Sequence, residues 1–200
     1  MNKWEQFSHT NRTFLMDSVD ESFIEWTKEL VAPYQDKLSD WTIVTDQNII
    51  KDIYDLTEIP DETSDGVMAN NRIGKKNSQV IAPLLLILMP DEENPESNFV
   101  AGWLQSQVGL AAIEKGYHTG FCICVDHTKL YYVLKENNLL DPAVVEVLEK
   151  RTKPNVGCTT VLFSVGTADP ECEYNYSKIE QREIKSTVKK APMPNIAISD

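Results

Sequence analysis

The stretch from Ser97 to Val125, SNFVAGWLQSQVGLAAIEKGYHTGFCICV, decides the fold reading. Its first part is an apolar helix opened by Ser97 and carrying Ala101, Gly102, Gly109, Ala111 and Ala112. Small residues in mid-helix lower helix propensity, so their presence points to the close approach of another element. Gly116 supplies the residue that ends such a helix in the left-handed conformation. The run TGFCICV follows at once and reads as a strand.

Working outward, a helix follows Asp17 or Ser18 as N-cap, with Val19, Phe23, Ile24, Leu30 and Val31 near helical spacing and Ala32-Pro33 ending it. Trp41 to Thr45 alternates as a short strand and leads into an Asp46-capped helix with a stripe of Ile49, Ile50, Ile53 and Leu56. A polar, Asn-rich loop from Thr57 to Ser78 is long enough to carry function. Val80 to Met89, VIAPLLLILM, is a continuous apolar run that reads as a buried strand, with Pro83 near its start or at an edge. Downstream lie two short helices, around Lys129 to Lys135 and Pro142 to Lys150, and a strand from Cys158 to Val165 ending at Gly166. Helices and strands mix without βα alternation, which gives an α+β class.

The 200 residues suit a single domain, 1–200, with 178–200 a basic extension. A 42% apolar fraction with 25% charged side chains is that of a folding chain. The net charge of −12 argues against nucleic acid or an anionic membrane as partner. Only four arginines are present, Arg12, Arg72, Arg151 and Arg182, so few positions can clamp a phosphate with a planar fork. No apolar run is long enough to span a bilayer and no signal-peptide pattern opens the chain, which gives a cytoplasmic expectation. Cys122, Cys124, Cys158 and Cys172 form no C-x-x-C pair and no zinc-type cluster; the alternating Cys122 and Cys124 read better as buried small residues than as metal ligands.

No nucleophile elbow, phosphate-binding P-loop, dinucleotide-binding glycine motif or zinc-protease motif is present, and His9, His118 and His127 stand apart. Any redox or transfer chemistry must then belong to a bound cofactor.

Five stretches in order resemble the FMN-dependent nitroreductase family, from about Ser8 to Ser186. They are SHTNRTF (8–14), APYQDKLSDWTIVTD (32–46), QVIAPLLLIL (79–88), AGWLQSQVGLAAIEKGYHTGFC (101–122) and the basic tail. The resemblance implies a nitroreductase-like α+β fold with a mostly antiparallel central sheet flanked by helices. It also implies a homodimer with the central helix at the subunit interface and FMN in a cleft built by both chains. NADH or NADPH would reduce the flavin, and a nitroaromatic, quinone or similar small acceptor would reoxidise it.

Carried over residue by residue, the resemblance places cofactor binding at Ser8, His9, Thr10 and Arg12. A second group is Tyr34, Gln35, Lys37 and Ser39, and a third is Ile123, Cys124 and Arg182. Ser8 stands where the family keeps a phosphate-binding Arg, Tyr34 and Gln35 where it keeps small Ser residues, Lys37 for Asn and Ser39 for Gln, and Cys124 where Gly is usual. These departures leave an alternative in view, a dimeric nitroreductase-like fold with an eroded flavin site that serves as a binding or regulatory protein. In so acidic a chain, a phosphate site requires Arg12 and Arg182 to converge.

Overall fold

A computed structural model describes residues 14–57, 76–123 and 125–168. It contains α1 (Glu21–Val31), a 3-10 turn (Ala32–Lys37), β1 (Leu38–Val44), α2 (Gln47–Asp55) and β2 (Leu84–Pro90). These are followed by α3 (Pro95–Glu114), β3 (His118–Cys122), α4 (His127–Glu136), α5 (Pro142–Glu149) and β4 (Val161–Gly166). The four strands lie in the order β1-β2-β4-β3, and every neighbouring pair is antiparallel.

The apolar run around β2 is continuous because this strand has a neighbour on both sides and helices over both faces; all seven of its residues are buried. Leu84, Leu86 and Leu88 enter the core shared with α1 and α3. Leu85, Ile87 and Met89 enter the core shared with α2, α4 and α5. The strand starts at Leu84, not at Val80: Pro83 lacks the N–H a central strand needs, and Ser78–Val80 forms a short 3-10 turn instead.

Asp20, not Asp17 or Ser18, caps α1, its carboxylate accepting the Ser22 N–H at 2.9 Å. That shift puts Val19 just outside the helix, where it and Ile24 are buried in one cluster as a hydrophobic staple. Helix α3 opens two residues before Ser97: Asn94 caps it, Pro95 takes the first helical position, and the Ser97 hydroxyl accepts the Asp91 N–H at 2.8 Å. Gly116 ends it as the spacing predicts, at φ +86°, with the Tyr117 N–H donating to the Ala112 carbonyl at 2.9 Å and the Gly116 N–H to that of Ile113 at 3.1 Å. Tyr117 then ties the helix end to α1, since its hydroxyl accepts the Asp20 N–H at 3.0 Å and its ring lies 5.6 Å from that of Phe23.

Two strand limits differ from the sequence pattern. β3 ends at Cys122, leaving Ile123 outside the ladder. β4 begins at Val161 because Asn155 to Thr160 form a turn through Gly157 at φ +90°. There the Asn155 side chain accepts the Gly157 N–H at 2.9 Å, and the Glu92 carboxylate accepts the Cys158 N–H at 2.6 Å. Cys122 is buried, whereas Cys158 is exposed. No helix among the described residues is long and apolar enough to cross a membrane. Residues 58–75 of the polar loop, the basic tail, Cys124 and Cys172 lie outside the described residues.

Candidate functional site

The two stretches expected to hold a phosphate join the described fold at one point. Phe14, two residues after Arg12, forms an antiparallel bridge with Ala168, the last described residue before the tail that carries Arg182. The Leu15 N–H donates to the Thr167 carbonyl at 2.8 Å, and the Ala168 N–H donates to Nδ1 of His118 at 3.3 Å. This junction is tight: a Cβ on Gly166 would sit 2.6 Å from Pro83 Cδ and 3.2 Å from the Phe14 ring. Ser8, His9, Thr10, Arg12, Cys124 and Arg182 themselves lie outside the described residues.

The second group, Tyr34 to Ser39, occupies the other end of the strands and the opposite edge of the sheet. Tyr34 packs on Trp103 of α3, ring centroids 5.2 Å apart. Gln35 is committed to its own segment, its Oε1 accepting the Trp41 indole N–H at 2.6 Å. Lys37 Nζ lies 3.5 Å from the Glu96 carboxylate in the first turn of α3. Ser39 is not with them. A register shift between Leu38 and Asp40 turns that part of β1, and Ser39 lines a small cavity of about 20 Å³ with Glu92, Arg151 and Asn155 beneath α5. Asp40, 3% exposed, accepts the backbone N–H groups of Trp41 at 2.7 Å and Asp141 at 2.8 Å, and burial pushes its carboxyl pKa up.

Ile123 is 51% exposed just past the end of β3, an edge strand among the described residues. The row Cys122, Leu162, Ile87, Thr42 runs straight across the sheet, so Ile123, one residue on, lies about level with Trp41, the partner of Gln35, but three strand spacings away, roughly 14 Å. Along β3, five residues separate it from His118 at the Phe14 junction, roughly 17 Å. One chain thus brings Phe14 and Ala168 together beside β3 and holds Tyr34, Gln35 and Lys37 apart from them.

Electrostatically, the described lysines are largely engaged by carboxylates: Lys28 with Glu25, Lys37 with Glu96, Lys76 with Asp55, Lys129 with Asp126, Lys135 with Glu149 and Lys150 with Glu146. These are exposed pairs of small net worth. No group of three His, Cys, Asp or Glu among the described residues could hold a metal ion.

Two surfaces had no clear signal in the sequence. On α3, Phe99 is 74% exposed and Trp103 37%, and they line up with Gly102 and Ser106 on the side away from the core. Their neighbours Val100 and Leu104 are buried, so the helix is apolar on two faces, and period counting alone does not separate them. The second surface is a groove of about 460 Å³ between α1 and the end of α3, walled by Phe23 and Trp26 on one side and Ala111 and Lys115 on the other.

No protein-family model matches the chain, and no curated protein matches it. Solved structures do. A nitroreductase family protein from Clostridium novyi NT matches with a TM-score of 0.52 at 12% identity, over 89% of this chain and 91% of the other. An FMN-dependent nitroreductase from Clostridium difficile R20291 matches at 0.52 and 16% identity, over 82% and 88%. A nitroreductase with bound FMN from Bacteroides fragilis NCTC 9343 matches at 0.51 and 11% identity, over 100% and 98%. At such identities the likeness is one of backbone architecture, and it agrees with the antiparallel sheet, the long central helix and the whole-chain coverage: this chain has the nitroreductase fold, in divergent form.

Proposed function

We propose that the protein is a homodimeric FMN-dependent oxidoreductase of nitroreductase type, passing hydride from NADH or NADPH to a nitroaromatic, quinone or similar acceptor in the cytoplasm. The observation that carries this reading is the Phe14 to Ala168 bridge at one end of β3, two residues in sequence from Arg12 and fourteen from Arg182. The residues present fit the cofactor in kind. Arg12 and Arg182 are the guanidinium forks a phosphate dianion needs. Phe121 and Ile123, exposed at β3 and just past its end, offer an apolar surface for a flat ring. Bound flavin would supply the hydride carrier, so the chain need furnish no nucleophile. The chain's own task is to hold the phosphate, keep the ring against β3 and exclude water.

Tyr34, Gln35 and Lys37 reach such a site only from a second copy, because their own chain holds them at the far edge of the sheet. The exposed Phe99 and Trp103 stripe on α3 is the surface that a second copy would cover. A second reading, a fold retained while the flavin site has eroded, draws on Ser8 in place of an Arg and on the Gln35 side chain being taken up by Trp41.

The visible spectrum decides between them. Protein purified with added FMN and desalted should retain shifted flavin bands, and a colourless protein would sink the enzyme reading. Arg182→Ala should weaken FMN binding about 10- to 100-fold, the worth of one charge-assisted contact. An unchanged dissociation constant would remove Arg182 from the site.

A further inference from the structure

The groove between α1 and the end of α3 is built like a small-molecule site. Its volume of about 460 Å³ falls in the range of pockets that hold small organic ligands. Ala111 on α3 makes room opposite Trp26 on α1, and Ser22, Phe23, Glu114 and Lys115 complete the walls. These walls are held by contacts of the chain itself. The Tyr117 hydroxyl, just past α3, accepts the Asp20 N–H at 3.0 Å, and the Tyr117 ring lies 5.6 Å from that of Phe23, so the end of α3 is tied to the start of α1. The Asp20 carboxylate in turn accepts the Ser22 N–H at 2.9 Å. A groove fixed in this way needs little reorganisation when a ligand enters.

Two features select the occupant. The first is aromatic. Trp26 stays 38% exposed although its ring lies 5.7 Å from that of the buried Phe23, and an indole left partly open attracts a cation more strongly than any other aromatic side chain. The second is charge. Glu114 stands in the wall, and Glu29, exposed three residues after Trp26, is its neighbour on the surface of α1. Glu21 and Glu25 are exposed on the same helix, one turn apart. Hydrogen bonds from Ser22 hold the Asp20 carboxyl below the usual aspartate value, which keeps it ionised at the groove's end. Against these carboxylates stand Lys28, bound to Glu25, and Lys115, whose charge acts on Asp20. Among the described residues, negative charge is therefore in excess around an aromatic floor. That combination suits a cation with an apolar body and disfavours an anion.

We propose that the α1–α3 groove binds a small organic amine in its ammonium form, with an aromatic body against Phe23, Trp26 and Ala111 and the ammonium toward Glu29 and Glu114. Lys115 opposes the bound charge and keeps the affinity moderate. The site lies between two helices and uses none of the residues assigned to the flavin, so it stands whether or not FMN binds.

The test uses the full chain labelled with 5-fluorotryptophan and free of flavin, the Trp26 resonance being assigned by its loss in Trp26→Phe. The probes are phenethylammonium and two relatives of similar shape, the neutral phenethyl alcohol and the anionic hydrocinnamate. Phenethylammonium should shift the Trp26 resonance saturably while leaving that of Trp103 in place, with a Kd at least about tenfold below that of the alcohol. Hydrocinnamate should bind more weakly than the alcohol. Glu29→Gln with Glu114→Gln should remove most of the preference for the ammonium and leave the alcohol's Kd unchanged. Lys115→Gln should tighten phenethylammonium binding about 3- to 10-fold. Equal affinity for ammonium and alcohol overturns the proposal, as does a Trp26 resonance that none of the probes moves. A Trp26 signal that follows protein concentration without any probe gives the groove to a second copy and overturns it as well.

Discussion

On one face of the sheet, α2, α4 and α5 are short and each is capped by an aspartate, Asp46, Asp126 and Asp141, whose carboxylates accept first-turn N–H groups. Their apolar stripes are used up against Val44, Leu85, Ile87, Met89 and Leu162, and what remains exposed are single residues such as Tyr132 and Val147. The other face is covered by α1 and one helix of 20 residues, α3, which buries Val100, Leu104, Val108 and Ala112 yet also exposes Phe99 and Trp103. The first face is completed within the chain; the second keeps apolar surface beyond what the sheet requires. In the proposed homodimer, fold stability and assembly would be carried by different faces.

The contrast breaks most visibly if the open face is made polar. Phe99→Glu with Trp103→Glu should weaken homodimer formation by about 2–4 kcal/mol, roughly 30- to 1,000-fold, because central aromatic anchors dominate such contacts. Sedimentation across a concentration series measures it, and an unaltered dimer constant would return the stripe to ordinary solvent-facing surface. On the closed face the expected loss is in folding. Ile53→Ala removes a fully buried side chain and should lower the unfolding free energy by about 2–5 kcal/mol in urea titration, with little change in the monomer–dimer equilibrium at equal folded fraction.

The smallest effect tests the turn that ends the closed face. Glu92 accepts the Cys158 thiol and backbone N–H, and these hydrogen bonds hold its carboxyl below the usual glutamate value. A lowered folded pKa means stability that is present above the unfolded value and is lost as pH falls through the folded one. Glu92→Gln should accordingly lower the urea midpoint at about pH 6, by a margin that shrinks as pH falls below the ordinary glutamate value. Asp40 acts with the opposite sign: its raised pKa makes the charged form less favourable, so its contribution weakens the fold as pH rises past the unfolded aspartate value. A Glu92→Gln difference that persists unchanged at acid pH would show that the turn does not depend on that ionised carboxylate.

Much of this architecture was legible in the residues. β2 announced itself by uninterrupted branched apolar side chains, α3 by small residues and its glycine stop, and α2 by an aspartate cap ahead of four spaced apolar positions. The limits were less legible where a side chain had two possible roles. Asp17, Ser18 and Asp20 can all cap a helix, and the choice fell to Asp20, which lets Val19 bury beside Ile24. Cys158 to Thr160 read as strand by composition, but Gly157 and Glu92 turn the backbone away from the ladder until Val161. Of the residues expected at the site, Tyr34, Gln35, Lys37, Ser39 and Ile123 could be placed, and the bulge after Leu38 sent Ser39 to the face opposite Tyr34. A one-residue irregularity in register has no signature in hydropathy.

From its sequence alone the chain determines its class and its central elements, because periodicity, glycine stops and proline exclusions act over a few residues and need no partner. The sequence also limits the phosphate forks to four arginines. Which stretches meet is decided by tertiary structure. The strand order β1-β2-β4-β3 places residues distant in sequence on neighbouring strands, joins Phe14 to Ala168, and sets Tyr34 across the sheet from Ile123. Those relations arise from strand pairing over long sequence separations, where the gain comes only once both sides of the sheet are covered.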